Sequence, residues 1–207
     1  MAMPSNPIEP TLYIPHSFTP PDPPLPDVPS AWRGIELILP DLLARLDVPR
    51  GTFLEFGVDY GYSTAALARH ARHIIGIDTF EDIHSGGRSP EEVQRETANL
   101  LGDVPNLALW RQPYHEFIQQ WGQWDKPSPV EIPALIHIDI DHSYHTTMEL
   151  GAWAVAHSPV TLFHDVLSYP NEVGRAVGEI AAEFALHYYL YPECHGLGIL
   201  SRKGMKP

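Results

Sequence analysis

The chain has 207 residues, enough for one well-packed domain and too few for two of ordinary size. Its 13 basic and 26 acidic side chains give a formal charge of −13, which argues against nucleic acid and anionic membranes, both gripped by surplus Lys and Arg. An apolar fraction of 43% supports a sizeable core, and a single cysteine, Cys194, rules out an intrachain disulfide and a cysteine-rich zinc site.

No apolar stretch approaches the ~20 residues that span a bilayer. No basic start precedes an apolar signal core either, so a soluble cytoplasmic protein is expected. Residues 1–29 are dense in proline, which fixes φ and removes the backbone donor, so extended or polyproline structure, or a disordered tail, is expected there. Leu12, Tyr13, Ile14 and Phe18 are apolar enough to cover the domain or a partner, which leaves a homo-oligomer open. Residues 30–207 read as the folded domain.

"AWRGIELILPDLLARL" has helical spacing, with Pro40 either kinking one helix or starting a second. Five apolar runs follow, "TFLEFG", "HIIGID", "NLALW", "ALIHID" and "VTLFHD", each reading as a buried strand of a parallel sheet. Between and after them lie "STAALARHA", "SPEEVQRETANLL", "YHEFIQQWGQW", "TTMELGAWAVAH" and "NEVGRAVGEIAAEFA", all helix-like. The second carries a capping box, with Ser89 as N-cap, Pro90 first and Glu92 third. "HYYLYPE" and "GLGILSRK" are strand-like with no helix between them, an antiparallel finish. The expected fold is a doubly wound α/β sheet of seven strands, mostly parallel with an antiparallel last strand, Rossmann-like.

Ligands of such sheets sit beyond the carboxyl ends of the strands. The first end reads "LEFGVDYGYST", or E-x-G-x-x-x-G, rather than the G-x-G-x-x-G that seats a pyrophosphate. Glu55 would repel a pyrophosphate, so a neutral or cationic ligand is expected beside Gly57 and Gly61. Asp78 ends the second strand about twenty residues later, where an acid accepts ribose hydroxyls. A ribose with a positive neighbour and no phosphate describes S-adenosylmethionine.

On these motifs, "LEFGVDYGYST" and "IGIDTF", the sequence resembles the class I S-adenosylmethionine-dependent methyltransferases over about residues 50–202. The resemblance implies that Glu55, Gly57 and Gly61 surround the methionine part of the cofactor with Ser63 close by. It also implies that Asp78 holds the ribose and that Gln112 lies near the adenine.

"IHIDIDHSYH" ends the fourth strand and "LFHD" the fifth, so Asp139, Asp141 and His142 are expected near His164 and Asp165. Carboxylates alone suit Mg²⁺ or Ca²⁺, and added imidazoles widen the choice to Mn²⁺, Fe²⁺ or Zn²⁺. The stretch most resembles the metal-dependent macrocin- and novobiocin-type sugar O-methyltransferases. That implies a divalent metal, Mg²⁺ first, held by Asp139 and Asp165, with Asp139 also bordering the cofactor. His164 stands where this family has an acid, and its imidazole can still ligate. Asp141 corresponds to the base that deprotonates a small-molecule acceptor, with His142 and His145 as alternatives. Tyr144 reads as packing or as an acceptor contact.

Two other readings stay open. His137, Asp139, Asp141 and His142 spell H-x-D-x-D-H, one substitution from a metallohydrolase signature, and strand alternation would put the first three on one face. A non-catalytic cofactor-binding protein is the other. "HSGGRSPEEV" after Asp78 reads as a mobile lid, and the identity of the acceptor is not written in the sheet motifs.

Overall fold

A computed structural model describes residues 7–81, 86–102, 104–121 and 132–207. Among these, one eight-stranded sheet runs in the order β1-β7-β8-β6-β5-β2-β3-β4. The strands are β1 (Thr11–Leu12), β2 (Thr52–Phe56), β3 (His73–Asp78), β4 (Leu107–Arg111), β5 (Leu135–Ile138), β6 (Val160–Phe163), β7 (His187–Tyr191) and β8 (Leu197–Ser201). Only β8 runs against the rest: it is antiparallel to both β6 and β7, and every other pairing is parallel. The expected seven strands are present. The eighth is β1, from the proline-rich segment, which pairs with β7 through Thr11 and Leu12.

Alternation along the strands builds two cores, one on each face. Phe53, Ile74, Leu135 and Leu162 pack with Trp32, with Leu39 and Leu42 of helix α1 (Leu39–Arg45) and with Leu67 of α2 (Tyr62–Ala68). Leu54, Phe56, Ile136 and Ile138 pack the other way, on Phe117 of α4 (Tyr114–Trp121), Leu150 of α5 (Tyr144–His157) and Ile180 of α6 (Arg175–Glu183). Each such side chain withdrawn from water stabilises the fold by ~1.5–3 kcal/mol. These two layers hold the strand ends rigid.

Local signals explain the helix ends. Pro40 lies in the first turn of α1, preceded by a 3-10 turn at Ile35–Leu37, so it starts a second helical piece rather than kinking one. Ser89 caps α3 (Pro90–Leu101) with the reciprocal Ser89–Glu92 bonds expected of its sequence. A π-helical turn at Pro170–Gly174 precedes α6. Part of the expected lid, His84 and Ser85, lies outside the described residues, as do residues 122–124 of the predicted helix "YHEFIQQWGQW".

The N-terminal segment lies on the domain along its described length. Tyr13 is buried and its hydroxyl donates to Asp41 Oδ2 at 2.6 Å, while Val28 joins the α1 core. No helix among the described residues is long and apolar enough to cross a membrane.

Candidate active site

Sheet order reverses between β2 and β5, the switch point at which such folds open a crevice. A cavity of about 780 Å³ lies there. Gly57, Ser63, Asp78, Gln112, Asp139, Asp141, His142, His164 and Asp165 all line it, so nine of the predicted site residues share one space.

Gly57 makes the crevice. Its φ is 89°, and a Cβ there would lie 1.7 Å from the carbonyl oxygen of Asp139. Only glycine lets the β2 turn press so closely on the end of β5. Asp78 braces the same turn: Oδ2 accepts from the amides of Val58 at 2.7 Å and Asp59 at 3.3 Å, and Oδ1 from Phe80 at 2.7 Å. Ionised, a carboxylate offers about four lone-pair sites, so one remains for a ligand hydroxyl.

Glu55 and Gly61 are not among the cavity's lining residues. Glu55 is fully buried beneath it, accepting from the Thr64 hydroxyl and bonded through Oε1 to His137 Nδ1 at 2.9 Å. The physical reason is strand position: Glu55 shares a face with Phe53 and is paired in register with His137. Its placement around the cofactor's methionine is corrected to a support underneath.

His137 is corrected likewise. Its Nε2 accepts from Trp32 Nε1 at 3.1 Å, and both residues are buried. With both ring nitrogens engaged, His137 has no free ligand atom, which removes the first position of the H-x-D-x-D-H metallohydrolase reading. The alternation behind that reading stops at Ile138, where β5 ends, so Asp139 and Asp141 are not bound to face the way His137 does. Trp32 itself lines the cavity, with Pro29 and Ser30 beside it. The sequence reading missed this wall, for no local pattern links Trp32 to a histidine 105 positions away.

At the other end of the cavity the acids and imidazoles converge. Asp139, His164 and Asp165 each present one donor atom, all within 4.8 Å of one another. His164 Nδ1 lies 3.3 Å from Asp139 Oδ2 and 3.2 Å from Asp165 Oδ2. His142 Nε2 lies 3.0 Å from Asp165 Oδ2, and its ring stacks on Tyr169 at 4.2 Å. Asp165 sits in the left-handed region at φ 61°, a conformation a β-branched residue would resist.

The field here is intense. Burial opposes charge on His164, yet the Asp139 and Asp165 carboxylates push its pKa up to about 10. The same two acids push His142 up to about 9. Burial would raise Asp139 and Asp165 in turn, but the neighbouring rings hold both well below the usual carboxylate range.

Asp141 stands apart. Its Oδ1 accepts from Ser143 N at 3.0 Å and its Oδ2 from the Thr146 hydroxyl at 2.9 Å, at the start of α5. Burial raises its pKa less than these donors lower it. His145 is exposed and outside the lining, and the Tyr144 hydroxyl donates to Glu179 in the α5–α6 contact.

A parallel sheet wound on both sides, a glycine turn beside a strand-terminal acid, and an antiparallel last strand define the Rossmann-like class I methyltransferase fold. Residues 54–166, more than half the chain, match the family model described as a methyltransferase domain. The chain belongs to that family and is a methyltransferase. No curated protein sequence matches it. Solved structures share the fold at low identity. A putative O-methyltransferase from Klebsiella pneumoniae is 18% identical, with TM-score 0.54 over 80% of this chain and 77% of that one. TomG from Streptomyces achromogenes, an O-methyltransferase of tomaymycin synthesis solved with S-adenosylmethionine, is 17% identical, with TM-score 0.51 over 84% and 86%. CalS11, a TDP-rhamnose 3'-O-methyltransferase of calicheamicin biosynthesis, is 19% identical, with TM-score 0.54 over 80% of each chain.

Proposed function

We propose that the chain transfers the methyl group of S-adenosylmethionine to a hydroxyl of a small molecule, with a sugar-bearing natural product as the acceptor class and a divalent cation assisting. The observation that carries this reading is one cavity with two chemically distinct ends: the Gly57–Asp78 turn at one, and Asp139, His164 and Asp165 at the other. O-methyltransferase neighbours, one of them a sugar O-methyltransferase, support the acceptor class.

Asp78 accepts from the cofactor's ribose, the open turn at Gly57 and Ser63 admits its methionine part, and the Gln112 amide lies towards the base. The acceptor hydroxyl gives its proton to Asp141, its oxygen attacks the methyl carbon, and the carbon–sulfur bond breaks to leave a neutral thioether; His142, held charged by Asp139 and Asp165, is not free to take that proton. The donor is activated already, so alignment and deprotonation are the protein's share. Asp139, His164 and Asp165 fit a cation: two carboxylates and a buried ring nitrogen without a hydrogen-bond partner face one point. Bound there, the ion would lower the pKa of an acceptor hydroxyl.

Calorimetry with S-adenosylmethionine, then turnover of methyl-labelled cofactor on hydroxyl-bearing acceptors, tests the proposal. Labelled product is expected. Tight binding without turnover on any diol, sugar or phenol would favour the non-catalytic cofactor-binding protein instead.

A further inference from the structure

His164 carries the inference, which rests on the methyl-transfer reading above and concerns the class of ion at its acceptor end. His164 is 2% exposed, and its Nε2 lies 3.0 Å from the carbonyl oxygen of Cys194. A carbonyl only accepts, so Nε2 bears the proton of that bond, and in the neutral ring Nδ1 presents a lone pair. That Nδ1 is buried and has no well-formed hydrogen bond. It faces Asp139 Oδ2 at 3.3 Å and Asp165 Oδ2 at 3.2 Å, two more acceptors. With Nδ1 unprotonated, three electron-rich atoms meet at one point, so either a proton or a metal ion that displaces it must stand among them.

The spacing suits an ion. Adjacent ligands on a metal with bonds of ~2.1 Å lie ~3.0 Å apart, close to both separations. A backbone carbonyl fixing the far nitrogen is also how ligating histidines are held in one tautomer. The donor set decides which ion. Mg²⁺ favours oxygen and parts reluctantly with water, whereas Mn²⁺, Fe²⁺, Co²⁺ and Zn²⁺ accept imidazole readily.

We propose that Asp139, His164 and Asp165 form a mixed nitrogen–oxygen site for a first-row transition ion, and that Mg²⁺ is its poor competitor. The full chain, stripped of metal with a chelator, is titrated calorimetrically with Mn²⁺, Co²⁺, Zn²⁺ and Mg²⁺, and the Mn²⁺ form is studied by pulsed electron paramagnetic resonance. The transition ions should bind roughly tenfold or more tightly than Mg²⁺. The Mn²⁺ form should show nitrogen coupling that changes when histidine is labelled with nitrogen-15, a readout that needs no variant and no turnover. His164→Asp should lose that coupling and narrow the preference for Mn²⁺ over Mg²⁺.

Mn²⁺ bound without nitrogen coupling, or Mg²⁺ bound as tightly as Mn²⁺, overturns the proposal. So does the absence of any bound ion, which would leave a proton on Nδ1 to neutralise the acids. Binding of S-adenosylmethionine to the stripped protein is measured alongside. A protein that binds the cofactor but takes up none of the added ions sinks this inference alone, and one that takes up an ion but not the cofactor sinks the methyl-transfer reading.

Discussion

Gly57→Ala is the sharpest perturbation of the crevice, because it strikes the contact between its two ends. An alanine there must keep φ near 89° and place its Cβ 1.7 Å from the Asp139 carbonyl oxygen and 2.5 Å from the carbonyl carbon. Left-handed backbone costs an ordinary residue ~1–2 kcal/mol. The clash is with backbone, so no rotamer relieves it, and β5 must move away from β2. That movement loosens the bond from Asp139 N to Phe56 O, 2.8 Å long, worth ~1 kcal/mol. A loss of at least ~3 kcal/mol is expected, which for a chain of this size lowers Tm by roughly 6–12 °C. Thermal melting by circular dichroism measures it, with calorimetry of S-adenosylmethionine on whatever remains folded. Gly86→Ala is the control: its φ of 61° imposes similar backbone strain, but nothing lies within 4 Å of the added Cβ. A Gly57→Ala protein that melts no lower than the Gly86→Ala control and binds cofactor normally refutes the reasoning.

Asp78→Ala should weaken S-adenosylmethionine binding by roughly 10–100-fold in calorimetry, since a charge-assisted bond contributes ~1.5–3 kcal/mol. Unchanged affinity would remove Asp78 from the ribose. Asp141→Asn should leave cofactor binding intact while lowering turnover by roughly 10²–10⁴-fold, and normal turnover would remove Asp141 from the proton transfer. Burial foremost pushes Tyr188 up to about 12, so the folded state keeps a proton that the unfolded chain releases near pH ~10. Stability from this group is full below pH ~10 and is lost as pH rises through about 12, so the fall in Tm across that window should be smaller in Tyr188→Phe than in the unsubstituted chain.

The strands were legible because a sheet covered on both faces demands continuous apolar runs, and a glycine or acid closes four of the five. "TFLEFG" became Thr52–Phe56 and "VTLFHD" became Val160–Phe163, each ending where the cavity begins. The acid cluster was legible for the same reason: Asp139 and Asp165 each follow a strand end within two residues. Contacts made across the chain were not legible. Nothing near Trp32 announces His137, and nothing near His164 announces the Cys194 carbonyl that fixes its ring. Strand β1 was hidden because two residues carry no period, and Thr11–Leu12 sits among prolines that weaken any strand signal.

The two corrected residues obey one rule. Glu55 precedes Gly57 by two positions, and His137 precedes Asp139 by two. Glu55 and His137 lie inside β2 and β5, paired in register, on the face that packs against α1 and α2. A polar group there has no water, so it must find partners, and Thr64, Trp32 and the pair themselves supply them. Gly57 and Asp139 lie just beyond the strands, where the chain turns and the cavity starts. The same residue types therefore do opposite work on either side of a strand end: inside, they consume each other's hydrogen-bonding capacity and fix the register of β2 on β5; outside, they keep that capacity for ligands. The buried pair lies directly beneath the point where Gly57 meets the Asp139 backbone, and this is why a carboxylate and an imidazole outside the cavity lining still belong to the architecture of the site.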